Sequence, residues 1–257
     1  MKASKERADA WLVARGLAAS RAEAQALVLA GEVFDGERRV EKPGALVRAD
    51  AALVVRARRR FVSRGGDKLD GALAAFSAHG LDVAGLTCLD VGASTGGFTD
   101  CLLQRGARSV VAVDVGYGQI ADKLRADPRV DVRERVNARD LTPADFAEPI
   151  ELVVVDASFI SIAKLAPAIA GLVLPGAALV ALVKPQFEAG REAASRGKGV
   201  IRDAPTRDAA IAGARASIQQ AGFDVIAAVD SEVHGPKGNV EHFVFARRFS
   251  AAGDRLT

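Results

Sequence analysis

Cysteine, histidine and aromatic residues are scarce in this chain of 257 residues, and each scarcity closes off a class of protein. There are two cysteines, Cys88 and Cys101. Two thiols give no disulfide framework, and Cys88 lies in an apolar, strand-like run. Both read as buried free thiols in a reducing cytoplasm. The three histidines, His79, His234 and His242, have no metal-ligand spacing with one another or with the cysteines, so no metal site is expected. No apolar run reaches the 18 or so residues that a membrane-spanning helix needs. The N-terminal stretch Met1-Lys2-Ala3-Ser4-Lys5-Glu6 leads into an amphipathic segment, which does not read as a secretory signal. Charge of one sign is also modest, at a formal net of +3. The pattern matters more than the total. Arg56, Arg58, Arg59, Arg60 and Arg64 crowd into nine positions. They read either as a solvated linker or as phosphate contacts.

What is present divides at that basic stretch. The first part reads as a small α+β unit. Ser4 is placed to cap a helix through Trp11, Leu12 and Val13, with Gly16 as its stop. Ser20-Arg21-Ala22-Glu23 is a capping-box sequence that opens a second helix over Ala24, Leu27 and Val28, stopped by Gly31. Val33-Phe34, Asp35-Gly36 and Val40 spell a hairpin, and Leu53-Val54-Val55 a further strand. The string Arg15-Gly16-Leu17-Ala18-Ala19-Ser20-Arg21, with Ala24, Gly31-Glu32-Val33, Gly36, Val40 and Lys42-Pro43, resembles the alpha-L RNA-binding module. That module is named for the fourth small-subunit ribosomal protein and is also found in pseudouridine synthases and tyrosyl-tRNA synthetases. The resemblance implies an RNA-binding role, with Arg7, Arg15, Arg21, Arg59, Arg60 and Arg64 as candidate phosphate contacts. Ala8 departs from the pattern, where a larger apolar residue is usual, and this implies a lighter core. The expected division is residues 1–57, a basic linker over 58–62, a catalytic domain over 63–250 and a tail over 251–257.

From Phe61 onward apolar strands alternate with helices. Strands are predicted at Thr87–Val91, Val110–Asp114, Val130–Val136, Leu152–Asp156, Ala178–Val183, Val225–Val229 and His242–Ala246. Helices are predicted over Gly97–Gln104 and Thr206–Gln220. The alternation implies an α/β fold with a doubly wound, Rossmann-like, mainly parallel sheet, which binds ligands at the carboxyl ends of its strands. The first strand runs into Asp90-Val91-Gly92-Ala93-Ser94-Thr95-Gly96-Gly97-Phe98-Thr99. A dinucleotide fingerprint would put glycine where Ser94 stands. Asp90 is awkward for a pyrophosphate and suits a ligand carrying an amino group, which favours S-adenosylmethionine over a nicotinamide dinucleotide. Candidate cofactor residues are Asp90, Gly92, Ser94, Gly96, Gly97 and Phe98. Asp114 is the candidate for the ribose hydroxyls, and Asp156 lies near the methyl group. Asp140 reads either as an acceptor for the adenine amino group or as a turn cap.

Four charged residues stand apart from these. Lys68 lies in Ser63-Arg64-Gly65-Gly66-Asp67-Lys68-Leu69, Asp156 and Lys184 end apolar strands, and Glu241 precedes the last one. A ribose hydroxyl is a poor nucleophile at neutral pH, and a deprotonated lysine beside it can act as general base. Lysine ordinarily titrates near 10.4, and a neighbouring cation and desolvation lower that value. Lys184 is the candidate base, Lys68 the neighbouring cation, Asp156 the partner of Lys184, and Glu241 the partner of Lys68 or of the ribose. The alternative is that both lysines bind phosphate, with ordinary salt-bridge acids. Taken together, these motifs and Lys184-Pro185-Gln186-Phe187-Glu188 resemble the TlyA (hemolysin A-like) family, whose catalytic domain is similar to FtsJ-type ribose methyltransferases. The resemblance implies that Lys68, Asp156, Lys184 and Glu241 are a catalytic tetrad, and that the reaction is cytidine 2′-O-methylation of ribosomal RNA; a cytoplasmic protein is expected, with a monomer favoured. Glu188–Gly199 and Gly235–Asn239 are candidate loops over the RNA site. Two rivals are a non-catalytic RNA-binding assembly factor and a haemolysin, and the sequence supplies no spanning segment for the second.

Overall fold

The computed structural model describes residues 5–55, 60–189, 200–201, 203–235 and 238–249. The chain forms two compact units, Met1–Arg60 and Phe61–Thr257. Ser4, Arg59, the stretch 190–199 of the expected loop and the expected tail lie outside the described residues.

The first unit starts with a strand. β1 (Lys5–Arg7) pairs antiparallel with β4 (Leu46–Arg48), so the expected start of the helix at Ser4 is replaced by extended chain, with Arg7 at the N-cap. α1 (Ala8–Ala14) and α2 (Arg21–Leu29) follow. Only half of the capping box forms at α2. The Glu23 amide donates to Ser20 Oγ at 3.2 Å, but the Glu23 carboxylate accepts from the Ala19 amide instead of its partner's. β2 (Val33–Asp35) pairs with β3 (Arg38–Arg39) and β5 (Leu53–Val55). Ala8, Trp11, Leu12, Ala24, Val28, Val33 and Leu53 form the core. Ala8 has no exposed surface, and a small side chain there lets α1 sit close to its neighbours.

Asp9 organises the charge of this unit. Its buried carboxylate accepts from Arg7 (2.8 and 3.1 Å), Arg21 (3.2 and 3.3 Å) and Gln25 (3.1 Å). The Arg7 guanidinium, ahead of the other donors, holds the Asp9 carboxyl well below the usual range. Arg15 lies over the Trp11 ring, 4.1 Å from its centroid, and donates to the Ala49 carbonyl at 2.5 Å. The candidate RNA contacts Arg7, Arg15 and Arg21 are thus anchored within the unit while keeping 38–58% of their side-chain surface exposed.

The second unit is a seven-stranded sheet between helices. α3 (Arg64–Ser77) leads to β6 (Thr87–Val91), α4 (Gly97–Gln104), β7 (Ser109–Asp114), α5 (Asp122–Arg125), β8 (Val130–Glu134), β9 (Ile150–Val155), α6 (Ile162–Leu172), β10 (Val173–Val183), α7 (Pro185–Glu188), α8 (Ala204–Gln220), β11 (Phe223–Asp230) and β12 (His242–Arg248). The strand order is β11-β12-β10-β9-β6-β7-β8. β12 lies antiparallel between β10 and β11, and the other pairings are parallel. From β6 the chain winds outward through β7 and β8, then returns to β9 on the other side. That reversal puts the ligand crevice at the carboxyl ends of β6 and β9.

Side chains on a strand alternate between faces, and here the alternation sorts the site. Leu152, Val154, Val180, Leu182, Phe243 and Phe245 pack with α3 and α4 residues such as Leu69, Phe76, Phe98 and Leu102. Leu89, Val91, Val153, Val155, Ala181, Val183 and Val244 pack with Ile169, Ile211 and Ile218 of α6 and α8. By that parity Asp90, Asp156, Lys184 and Glu241 all belong to the face covered by α3 and α4.

Candidate active site

The turn between β6 and α4 permits two close backbone approaches. At Gly92 (φ 86°) a Cβ atom would lie 2.8 Å from the carbonyl oxygen of Asp156, so only glycine lets the ends of β6 and β9 meet. At Gly97 a Cβ would lie 2.2 Å from Ser63 Oγ and 2.9 Å from the Gly66 amide. The first turn of α3 therefore packs backbone to backbone on the first turn of α4. This brings Lys68, one turn further along α3, toward the strand ends. Ser94 takes a left-handed φ of 49° and offers its amide to Asp114 Oδ2 at 2.8 Å.

Asp90 has no exposed surface. Its Oδ2 accepts from Thr99 Oγ1 at 2.7 Å, while its Oδ1 has no hydrogen-bond partner among the described residues. Burial pushes its carboxyl up to about 7, against the Thr99 hydroxyl, which pulls it down. A half-satisfied buried acceptor beside a glycine turn is complementary to a cation. The amino group of S-adenosylmethionine fits that requirement. Asp114 accepts from the Ser94 and Gly116 amides (2.8 and 2.6 Å), which fixes its carboxylate at the end of β7 with further lone pairs available. Asp140 is exposed in a short 3-10 turn, Ala138–Asp140, and the cap of that turn is the side chain of Asn137. Gly96 caps α4, and Phe98 is buried against Phe243.

The two lysines form two separate pairs. Lys68 Nζ lies 2.5 Å from Glu241 Oε2, with 9% and 2% of the two side chains exposed. Lys184 Nζ lies 2.5 Å from Asp156 Oδ1. That contact is an ion pair by distance, but it lacks the direction of a hydrogen bond. The directed bond from Lys184 Nζ goes to Ser158 Oγ at 3.0 Å. Burial pushes the Asp156 carboxyl up, opposed first by Lys184 and then by Lys68, while Glu241 raises it further. The four groups thus act on one another electrostatically.

Of the other predicted residues, Arg64 is exposed at the first turn of α3 and Arg60 is the last residue of the first unit. Thr99 and Ser158 were not singled out from the sequence. Thr99 follows Asp90 by nine positions, on the first turn of the next helix. Nothing in its local pattern separates it from a helix-start threonine. No group of three potential metal ligands occurs among the described residues, and no helix among them is long and apolar enough to cross a membrane.

Comparison with known proteins identifies the family. Residues 61–248 match the FtsJ-like methyltransferases, and residues 6–53 match the S4 domain. The 16S/23S rRNA (cytidine-2′-O)-methyltransferase TlyA of Mycobacterium tuberculosis is 48% identical, over 95% of this chain and 91% of the relative. Hemolysin A of Brachyspira hyodysenteriae is 41% identical, over 93% and 99% of the two chains. A solved structure from Streptococcus thermophilus that carries a hemolysin name is 39% identical with a TM-score of 0.73, covering 98% of this chain and 91% of that one. With the matches spanning both units, and the Asp90 turn and the two lysine pairs in place, the chain belongs to the TlyA family of FtsJ-like methyltransferases.

Proposed function

We propose that this protein transfers a methyl group from S-adenosylmethionine to the 2′-hydroxyl of a cytidine in ribosomal RNA. The observation that carries the proposal is a buried and a partly buried lysine–carboxylate pair on the sheet face that also holds Asp90. When bound, S-adenosylmethionine supplies a methyl group on a positively charged sulfur. Asp90 would hold the amino group of the cofactor, with Thr99 fixing its Oδ2. Gly92, Ser94, Gly96, Gly97 and Phe98 shape the turn against it. Asp114 would accept from the ribose hydroxyls of the cofactor and Asp140 from its adenine amino group.

Lys184, in its neutral amine form, would take the proton of the RNA 2′-hydroxyl at Nζ, while S-adenosylmethionine would supply the methyl group. Asp156 and Ser158 hold Lys184 in place for this step. Lys68, fixed by Glu241, places a second positive charge where the ribose oxygen develops negative charge. Alignment of oxygen, carbon and sulfur supplies the rest. The S4-like unit, with Arg7, Arg15 and Arg21, grips the RNA backbone, and Arg59, Arg60 and Arg64 are further candidate phosphate contacts. The protein works as a monomer in the cytoplasm, where its substrate is.

Lys184→Ala tests the proposal. Transfer of radiolabelled methyl to ribosomal subunits falls by about 10²–10⁴, with calorimetric cofactor affinity within about twofold of the parent. Near-normal transfer by the variant would remove Lys184 from the base role. Absence of transfer by the parent protein would remove the activity.

A further inference from the structure

A second cluster stands at the same edge of the sheet, on its β8 flank. Five arginines fall between positions 125 and 139. Arg125, Arg129 and Arg133 are neutralised by Glu134, Asp127 and Asp131. Arg135 and Arg139 have no acidic partner among the described residues, and these are the two beyond the carboxyl end of β8. Arg135 takes a left-handed φ of 58°, a conformation that is strained for a non-glycine residue. The backbone enforces it: the Arg135 amide donates to the Gly116 carbonyl (3.0 Å) and the Val136 amide to the Asp114 carbonyl (3.0 Å). This also ends β8 at Glu134, two residues before the apolar pattern does. The crank lays the Arg135 guanidinium over the Tyr117 ring, 4.2 Å from its centroid. Tyr117, the only tyrosine, is 67% exposed. Its loop is pinned on both sides, with the Gly116 amide on Asp114 (2.6 Å) and the Gly118 amide on Glu134 (2.8 Å).

A rigid, exposed aromatic–guanidinium stack with uncancelled charge offers what an unpaired nucleotide needs: a flat face for the base and free N–H donors for its phosphate. Its place also matters. β8 is four strands from β10, about 19 Å at the usual spacing of strands. A strand of RNA with its reacting ribose at Lys184 that follows the carboxyl ends of the parallel strands reaches this edge. We propose that Tyr117 and Arg135 form a docking platform for an RNA nucleotide other than the methylated one, with Arg139 adding charge. The proposal rests on the reading of the protein as an RNA methyltransferase.

The test compares Tyr117→Ala, Tyr117→Phe, Arg135→Ala and Arg135→Gly with the parent. The readouts are methyl transfer to ribosomal subunits, binding of a fluorescent single-stranded oligocytidylate across a salt series, and calorimetric cofactor affinity without RNA. Tyr117→Ala and Arg135→Ala each raise the KM for the subunits and the Kd for the oligonucleotide about tenfold, leaving kcat and cofactor affinity within about twofold. Loss of Arg135 lowers the salt dependence of binding by about one ion. Tyr117→Phe keeps the stack and behaves as the parent. Arg135→Gly relieves the backbone penalty, so it folds at least as well and loses RNA affinity all the same. Unchanged RNA affinity in both alanine variants overturns the platform, and so does weakened cofactor binding without RNA, which would assign the pair to the cofactor. A parent protein that transfers no methyl counts against the enzyme reading alone, because oligonucleotide binding still decides the platform.

Discussion

Asp9 and Asp90 are both shut away from solvent, one in each unit, and their carboxyl groups shift in opposite directions. Asp9 is met by two arginines and a glutamine, so its charge is satisfied from within. Asp90 is met by one hydroxyl and keeps an oxygen without a partner. Burial alone therefore does not tell a structural acid from a binding acid. The number of donors that the fold itself supplies does. Asp9 holds α1 to α2, whereas Asp90 carries an electrostatic cost that a cationic ligand offsets.

Three changes test this contrast. The largest effect is expected from Asp90→Asn, which removes the charge but keeps the shape. Cofactor affinity falls about a hundredfold, in line with loss of a charge-assisted bond to a buried group, and the thermal midpoint does not fall, because a costly buried charge has gone. Titration calorimetry and thermal unfolding read the two together, and a lowered midpoint with intact affinity would make Asp90 a second Asp9.

The sign of the pH dependence follows. The carboxyl of Asp90 titrates near 7 in the folded protein and near 4 in the unfolded chain. Between those values the folded state binds the extra proton, so this residue lowers stability as pH rises from about 4 to about 7. In the proposed site, cofactor binding needs the charged form and so would release a proton. At pH 6, calorimetry in buffers of different ionisation enthalpy detects that release, and Asp90→Asn abolishes it. Asp9 behaves in the opposite way. Its stabilisation is full above the ordinary carboxylate range and is lost as pH falls below it.

Asp9→Ala is expected to cost about 1 kcal/mol, read by hydrogen exchange in the first unit. The figure is modest because Arg7 and Arg21 remain half exposed, and water screens them. Cofactor affinity does not change. Thr99→Val gives the smallest effect, a loss of cofactor affinity of several-fold with a further rise of the Asp90 carboxyl, seen as proton release persisting to higher pH.

Much of the fold was legible because its strands are long and apolar. β6, β9 and β10 are near-continuous runs ended by charge, as buried parallel strands require. β1 and β4 were not legible. Lys5-Glu6-Arg7 has no apolar alternation, and its extended form comes from pairing with residues 46–48, some forty positions away. The left-handed backbone at Arg135 was hidden for a similar reason, since two hydrogen bonds to the neighbouring loop impose it. In the candidate site, charge at strand ends was visible. The contact of Lys68 with a residue 173 positions away depends on two glycine-lined helix turns meeting, and no local pattern encodes that.

The alternation along β12 sets a reading frame for this chemistry. Glu241 belongs to the α3 face, and its neighbour His242 turns to the other side, where its Nδ1 lies 2.6 Å from Asp230. Inserting one residue between His242 and Phe243 would carry His242 to the position that faces Lys68 and turn Glu241 away from it. It would leave a lysine without its anion, although no functional side chain had been substituted. Length at this junction should be as tightly constrained as the identity of the residues.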